Sequence, residues 1–224
     1  MSPISVAIDG PSGAGKSTLA RQAAKELGFV YVDTGAIYRT VALYCRRNGI
    51  DPKNTVSVAA ALPYMQINLD YDANGEQKMF LNGEDVSALI RTPEISMLTS
   101  AVSAVPEVRA FLLDKQRELA LIRDVIMDGR DIGTVVLPNA TVKIYLTAAA
   151  EARAQRRCAE LREKGMDVTF DEVLKDVQER DYNDSHRAVA PLKQAEDARL
   201  VDTTCLSLEE SLSVLTRVIR EGIG

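Results

Sequence analysis

The chain has 224 residues, 46% of them hydrophobic and 26% charged, which suffices for the core of one domain or of one domain with a small insertion. Its 27 basic and 32 acidic side chains leave a net charge of −5, against a general binder of nucleic acid or anionic membrane. Cys45, Cys158 and Cys205 form no CxxC pair, no apolar run approaches the ~18 residues of a membrane span, and the amino terminus has no signal-peptide pattern, so a cytoplasmic location is expected.

Residues 4–8 form a short β-rich run that leads into GPSGAGKS. Residues 18–27 follow with Leu19, Ala23 and Leu27 on one helical face, Gly28 stops that helix, and residues 29–32 give a second β run. Strand, turn, helix and strand in this order predict a parallel sheet. Further β runs at 125–127, 142–146 and 200–201 are each expected to lead through a polar turn into a helical stretch. The fold class is therefore α/β, an open five-stranded parallel sheet with helices on both faces and functional loops at the carboxyl ends of the strands.

Two segments depart from this pattern. Residues 65–71 alternate apolar and polar, 72–75 (Asp-Ala-Asn-Gly) supply a turn, 77–81 a partner strand, and Asn82-Gly83 a second turn signal before a third strand at Asp85-Val86. They predict a small antiparallel β insert at about residues 63–90, either a surface decoration or a lobe that helps to cover a ligand. Residues 151–187 are arginine-rich: Arg153, Arg156 and Arg157 share one helical face, as a solvated face laced with Glu160 and Glu163 or as an anion site. Ser207-Leu-Glu-Glu210 is a capping box that starts a last helix running to Gly222.

Gly10, Pro11, Ser12, Gly13, Ala14, Gly15, Lys16 and Ser17 match GxxxxGK[ST] in full, with a strand before and a helix after. Such a loop aims successive N–H groups and a positive helix end at phosphate oxygens. Lys16 reaches the β- and γ-phosphates, the Ser17 hydroxyl can ligate Mg²⁺, and Thr18 adjoins them at the helix start. A nucleoside triphosphate site is predicted. Asp128 closes an apolar run, where a carboxylate can hold Mg²⁺ or its waters, and Asp9 is a weaker candidate for the same duty.

A guanine-reading NKxD is absent and the one DxxG falls at 72–75, inside the expected hairpin, so a GTPase switch is disfavoured. Of the 27 basic residues 18 are Arg, which favours fork-like recognition of an anionic acceptor. Asp33-Thr-Gly-Ala-Ile-Tyr-Arg39 follows the second strand, Asp128-Gly-Arg-Asp-Ile-Gly-Thr134 follows the third, and His186-Arg-Ala-Val-Ala-Pro-Leu192 closes the arginine-rich segment. With GPSGAGKS, EDVS..IRT and ERD they occur in order along nearly the whole chain, which here resembles the bacterial cytidylate kinase family of nucleoside monophosphate kinases.

The resemblance implies one kinase domain over residues 1–224, with a monophosphate-binding region at about 34–110 that holds the β insert and a helical lid at about 151–187. The β insert and residues 151–187 are expected to close over the nucleotides. It implies transfer of the γ-phosphoryl group of ATP, with Mg²⁺, to CMP and dCMP in pyrimidine nucleotide metabolism, by a monomer without nucleic-acid or membrane partners. Arg39, Arg130 and Arg187 are assigned to the acceptor's phosphate and, with Lys16, to catalysis. Ser100, Arg109 and Asp131 are assigned to the base, and Arg180 and Asp184 to the ribose hydroxyls. Thr34 stands where many relatives have Ser and keeps a hydroxyl near the acceptor. Arg153 and Arg157, in the lid, are taken as ATP contacts.

The chemistry of the base agrees. Cytosine offers its N4 amine to a carboxylate and its N3 and O2 to a guanidinium, whereas uracil would set O4 against the carboxylate. CMP is thus expected over UMP. The attacking phosphate needs no general base, and His186, the only histidine, is expected at the surface near the lid.

Overall fold

Along the computed structural model the first elements are β1 (Ser5–Asp9), α1 (Lys16–Leu27), β2 (Val30–Asp33), α2 (Thr34–Arg47) and α3 (Thr55–Ala61). They are followed by β3 (Ile67–Tyr71), β4 (Gln77–Leu81), β5 (Glu84–Asp85), α4 (Pro93–Ser103) and α5 (Pro106–Ile122). The chain ends with β6 (Val125–Gly129), β7 (Val142–Thr147), α6 (Ala150–Glu163), α7 (Phe170–His186), β8 (Arg199–Asp202) and α8 (Leu208–Ile223). Residues 3–163 and 165–224 are described. Two compact units result: the chain up to Tyr31 together with Arg123–Gly224, and Val32–Ile122, within which the expected monophosphate-binding region falls.

Five strands form a parallel sheet in the order β2-β6-β1-β7-β8. Val6, Ala7 and Ile8 of the central β1 are wholly buried, which is why the strands read as unbroken apolar runs rather than as alternation. Val6, Ile8, Ile126 and Ile144 pack against Leu19 and Ala23 of α1 and Leu215 and Ile219 of α8. Full burial of each Val, Leu or Ile side chain here is worth about 1.5–3 kcal/mol. The register sets Asp9 opposite Gly129 and Ile8 opposite Asp128, so β1 and β6 end side by side.

Helix α1 starts at Lys16, two residues before the expected start, because Gly15 caps it from the left-handed region at φ +86°. Thr169 and Ser207 cap α7 and α8 in reciprocal boxes with Glu172 and Glu210. The helical stretch expected after β6 is corrected to one wide turn, Ile132–Val136, closed by Leu137 N–H donating to the Ile132 carbonyl. The β-branched run Thr134-Val135-Val136 and Pro138 deny it further turns.

In the second unit β3, β4 and β5 form the antiparallel insert. Its third strand starts at Glu84, not Asp85. Asn82 and Gly83 both take positive φ, +51° and +86°, in a two-residue turn that pairs Leu81 directly with Glu84. Met79 and Leu81 from this sheet share a core with Ile37 and Val41 of α2 and Leu112 of α5. Among the described residues no single helix is long and apolar enough to cross a membrane.

Gly222 lies in the last turn of α8, where a Cβ would stand 2.6 Å from a Val142 methyl of β7. Ala is usually worth up to about 1 kcal/mol over Gly in a helix, but overpacking costs about 1–3 kcal/mol. Gly222→Ala is therefore expected to lower the melting temperature, by about 2–4 °C per kcal/mol lost in a chain of this size, and a calorimetric scan checks the sign.

Candidate active site

The loop that follows β1 is shaped by what glycine alone allows. Gly10 has φ +152°, and a Cβ there would lie 1.9 Å from the Leu146 carbonyl oxygen of β7. Beyond it Lys16 is buried, and its Nζ donates to the Pro11 carbonyl at 2.7 Å. Burial, reinforced by the charge of Arg130, pulls its ammonium down to about 7.

Ser17 Oγ donates to Asp128 Oδ2 at 2.8 Å, while the Tyr31 hydroxyl donates to Oδ1 at 2.8 Å. A hydroxyl and a carboxylate side by side are hard oxygen donors and fit Mg²⁺, which keeps waters and phosphate oxygens at its other positions. Among the described residues no three or more His, Cys, Asp or Glu side chains gather as a self-contained metal site. Asp9 has a different duty from the one expected. Its two oxygens accept from the Ile132 and Gly133 amides, each at 2.7 Å, and burial lifts its carboxyl to about 6 against those bonds.

Two expected acceptor arginines of this unit are already held by carboxylates. Arg130 Nε donates to Asp184 Oδ2 at 2.7 Å. Burial opposes the charge of Asp184, yet Arg130, with Arg180 and Arg187, holds its carboxyl below the usual range. Arg187 Nη2 lies 3.3 Å from Asp131 Oδ1, with both side chains more than nine-tenths buried.

Arg153, Arg156 and Arg157 of α6 do not act as one solvated face. Arg153 is buried and donates to the carbonyls of Ala148 (2.8 Å) and Ser12 (2.9 Å) and to Asp181 Oδ1 (3.0 Å), bracing the glycine loop against α7. Arg156 donates to the Thr203 carbonyl at 2.6 Å, beyond β8. Arg157 pairs with Glu160 at 2.7 Å and is about one-third exposed, as the solvated reading had it. His186 is exposed and stacks on Tyr182, ring centroids 4.1 Å apart.

In the second unit, Asp33 caps α2 by accepting from the Ala36 amide, and its other oxygen accepts from Arg39 Nη2 at 2.7 Å. A Cβ at Gly35 would lie 3.1 Å from both partners, so a glycine lets them close. Among the described residues the buried Arg39 Nε finds no hydrogen-bond partner, a donor that an anion's oxygen would satisfy. Thr34 is buried at the start of α2. Arg109, on α5, is buried: it donates to the Ser103 carbonyl at 3.1 Å and lies 5.4 Å from the centre of the Tyr38 ring. The Ser103 hydroxyl in turn donates to the carbonyl of Ser100, which links the two expected base readers within this unit.

Residues 6–221 match the family model described as cytidylate kinase. The chain is 50% identical to the cytidylate kinase of Caldicellulosiruptor bescii over 95% of its length and 93% of that protein's, and 48% identical to that of Flavobacterium johnsoniae over 99% and 98%. This chain belongs to the cytidylate kinase family. A solved structure of an uncharacterized protein from Eubacterium ventriosum shares the fold, with a TM-score of 0.52 at 10% identity over 97% of this chain and 98% of that one.

Within the cytidylate kinase motifs the structure adds partners that the sequence did not single out. Asp181 stands in ERD and Arg91 in IRT, whose Nη2 comes to 3.9 Å from Asp33. The motif letters were signal enough for both. Gln77 gave no signal: its side-chain amide accepts from the Asp33 amide and donates to the Asp33 carbonyl, so the β insert is pinned to the start of α2.

Because the clash at Gly10 is with backbone, Gly10→Ala is expected to cost fold as well as function. It should lower the melting temperature by about 5 °C or more, as a strained core substitution of about 2 kcal/mol would. Thermal unfolding of the purified variant beside the wild type measures this.

Proposed function

We propose that this member of the family phosphorylates CMP and dCMP with ATP, in the cytoplasm, as a step of pyrimidine nucleotide metabolism. The observation that carries the reading is the buried Lys16 beside a glycine loop, its ammonium pulled down by burial and by the charge of Arg130, whose side chain is about four-fifths buried. An anionic phosphate chain is the counter-charge such a place favours. The three cysteines are all free thiols, which suits a reducing compartment.

In this reaction an oxygen of the CMP phosphate bonds to the γ-phosphorus of ATP. The bond from that phosphorus to the β,γ-bridging oxygen breaks, and ADP leaves with the electron pair. The second pKa of a phosphate monoester is about 6, so the nucleophile is already deprotonated at neutral pH and no side chain has to remove a proton. The task of the protein is in-line placement and charge neutralisation. Lys16 takes the β- and γ-phosphates, with the loop amides and Thr18 around them. Mg²⁺, held by Ser17 and Asp128, would draw charge from the phosphate oxygens when bound.

Arg130, Arg187 and Arg39 take the acceptor phosphate, each steadied by a carboxylate: Asp184, Asp131 and Asp33 respectively. Asp131 accepts the N4 amine of cytosine, Arg109 donates to its ring acceptors, and Ser100 completes the base site. Thr34 lies near the acceptor, and Asp184 with Arg180 holds the ribose hydroxyls. Arg153 meets ATP from its place against Ser12, and Arg157 joins from the surface.

The direct test is ADP release from ATP and Mg²⁺ with CMP, dCMP, UMP, AMP, GMP and shikimate in turn. CMP and dCMP should lead, and no turnover of either would refute the proposal. Asp131→Asn keeps an oxygen for Arg187 but sets an NH₂ against the cytosine amine, which a uracil O4 would accept. Its ratio of kcat/KM for CMP to that for UMP should fall by about 10–100-fold, the effect of one buried hydrogen bond made or broken. An unchanged ratio removes Asp131 from the base site.

Lys16 gives a separate handle. With its ammonium near 7 in the free protein, Lys16 is mostly neutral at pH 8. A triphosphate favours the charged form and raises that pKa, so ATP binding at pH 8 should take up a proton. Calorimetry in two buffers of different ionisation enthalpy reads the uptake directly, and Lys16→Met should lose it.

A further inference from the structure

Among the described residues Asp9 is the one buried carboxylate at the ends of these strands to which the reaction gives no contact with a nucleotide. It is the last residue of β1, lies opposite Gly129 in the sheet, and immediately precedes Gly10 of the glycine loop. Both of its oxygens are used on backbone: Oδ1 accepts from Ile132 N–H and Oδ2 from Gly133 N–H, each at 2.7 Å. Those two amides open the wide turn 132–136 and come directly after Arg130 and Asp131. Asp131 itself sits at φ −146° and ψ 27°, outside the regular helix and strand regions, so its placement relies on what holds the residue after it.

Stability alone does not explain the choice of residue. A buried carboxylate facing two neutral amides carries a desolvation cost that an uncharged side chain would not. What the carboxylate alone provides is two equivalent acceptors on one rigid plane, matched to two successive N–H groups. Space at the contact is tight: a Cβ at Gly133 would lie 3.4 Å from Asp9 Oδ2 and 3.2 Å from the Lys143 side chain. The turn can therefore approach Asp9 closely through a glycine.

We infer that Asp9 is a positioning residue that fixes Arg130 and Asp131 for the acceptor by anchoring the Ile132 and Gly133 amides to the strand that carries the glycine loop. It touches neither nucleotide and sets the orientation of the residues that do. The inference rests on the assignment of Asp131 to the base and of Arg130 to the acceptor phosphate.

Asp9→Asn tests it at constant shape, because its NH₂ must face one of the two N–H donors. Steady-state kinetics should show KM for CMP raised about tenfold and the CMP-to-UMP ratio of kcat/KM lowered about tenfold, the effect of one mispaired buried group. KM for ATP should stay within about twofold, since the loop amides keep their own supports and Lys16 keeps Asp128 and Asp184, whose pull on its charge is larger than that of Asp9. A merely structural role would reduce the amount of active enzyme and leave all three quantities unmoved, and that result overturns the inference.

Should Asp9→Asn fail to fold, Asp9→Glu displaces the carboxylate by one methylene and is read in the same way. Asp131→Asn, measured alongside, separates the inference from its premise. If it shifts the ratio and the Asp9 variants do not shift it, Asp9 has no positioning role while the base assignment stands. If Asp131→Asn leaves the ratio unmoved, the base assignment fails, and Asp9 is judged on KM for CMP alone: a rise supports anchoring of Arg130, and no change refutes it.

Discussion

Charge buried at the carboxyl ends of the parallel strands has to be balanced atom by atom, and much of the first unit is organised by that demand. Lys16 and Arg130 lie in each other's field, and Asp128, Asp184 and Asp9 lie close enough to offset them. Removing one partner of such a set leaves an uncompensated charge, typically at about 3–5 kcal/mol. The carboxylates are accordingly fixed from more than one side: Asp128 by Ser17 and Tyr31, Asp9 by two amides. The parallel register makes this possible, because β1 and β6 end side by side and deliver Asp9 and Asp128 to the same edge.

Arginine rather than lysine suits the paired positions for a geometric reason. A guanidinium has five donors in a plane, so a carboxylate can hold one edge while other donors remain for a second anion. Arg130 gives its Nε to Asp184, and Arg39 gives Nη2 to Asp33 while its buried Nε has no partner among the described residues. A lysine so paired would offer a point charge with no fixed direction. Holding the fork in advance also reduces the side-chain entropy lost on binding, roughly 0.5–1.5 kcal/mol for each long side chain.

What was legible in the sequence is what the backbone demands locally. Gly10 and Gly15 mark the loop because their conformations exclude or penalise side chains, and Ser207 with Glu210 marks a helix start because the two satisfy each other's amides. The short third strand of the insert was misplaced by one residue because the positive φ of both Asn82 and Gly83 closes the turn tighter than the letters alone required. Contacts between distant segments were not legible. Nothing local distinguishes Arg153, which binds Asp181 28 positions away, from Arg157, which binds Glu160 three positions away. The clasp of Gln77 on Asp33 spans 44 positions and uses an amide that looks like any strand polar residue.

Arg153 shows how these long-range contacts bear on function. Its guanidinium joins the Ser12 carbonyl of the glycine loop to Asp181 of α7, and α7 also bears Arg180 and Asp184 and ends next to Arg187. The expected donor loop and the helix that carries the expected ribose and phosphate contacts are thus tied through one buried side chain. A solvent-exposed ion pair would give way under thermal motion for little cost. Here the side chain is only 5% exposed and is held by the Ala148 carbonyl as well, so it is restrained on more than one side. In-line transfer tolerates little misplacement. A rigid tie of this kind keeps loop and helix in register, and flexible surface charges at the same positions could not.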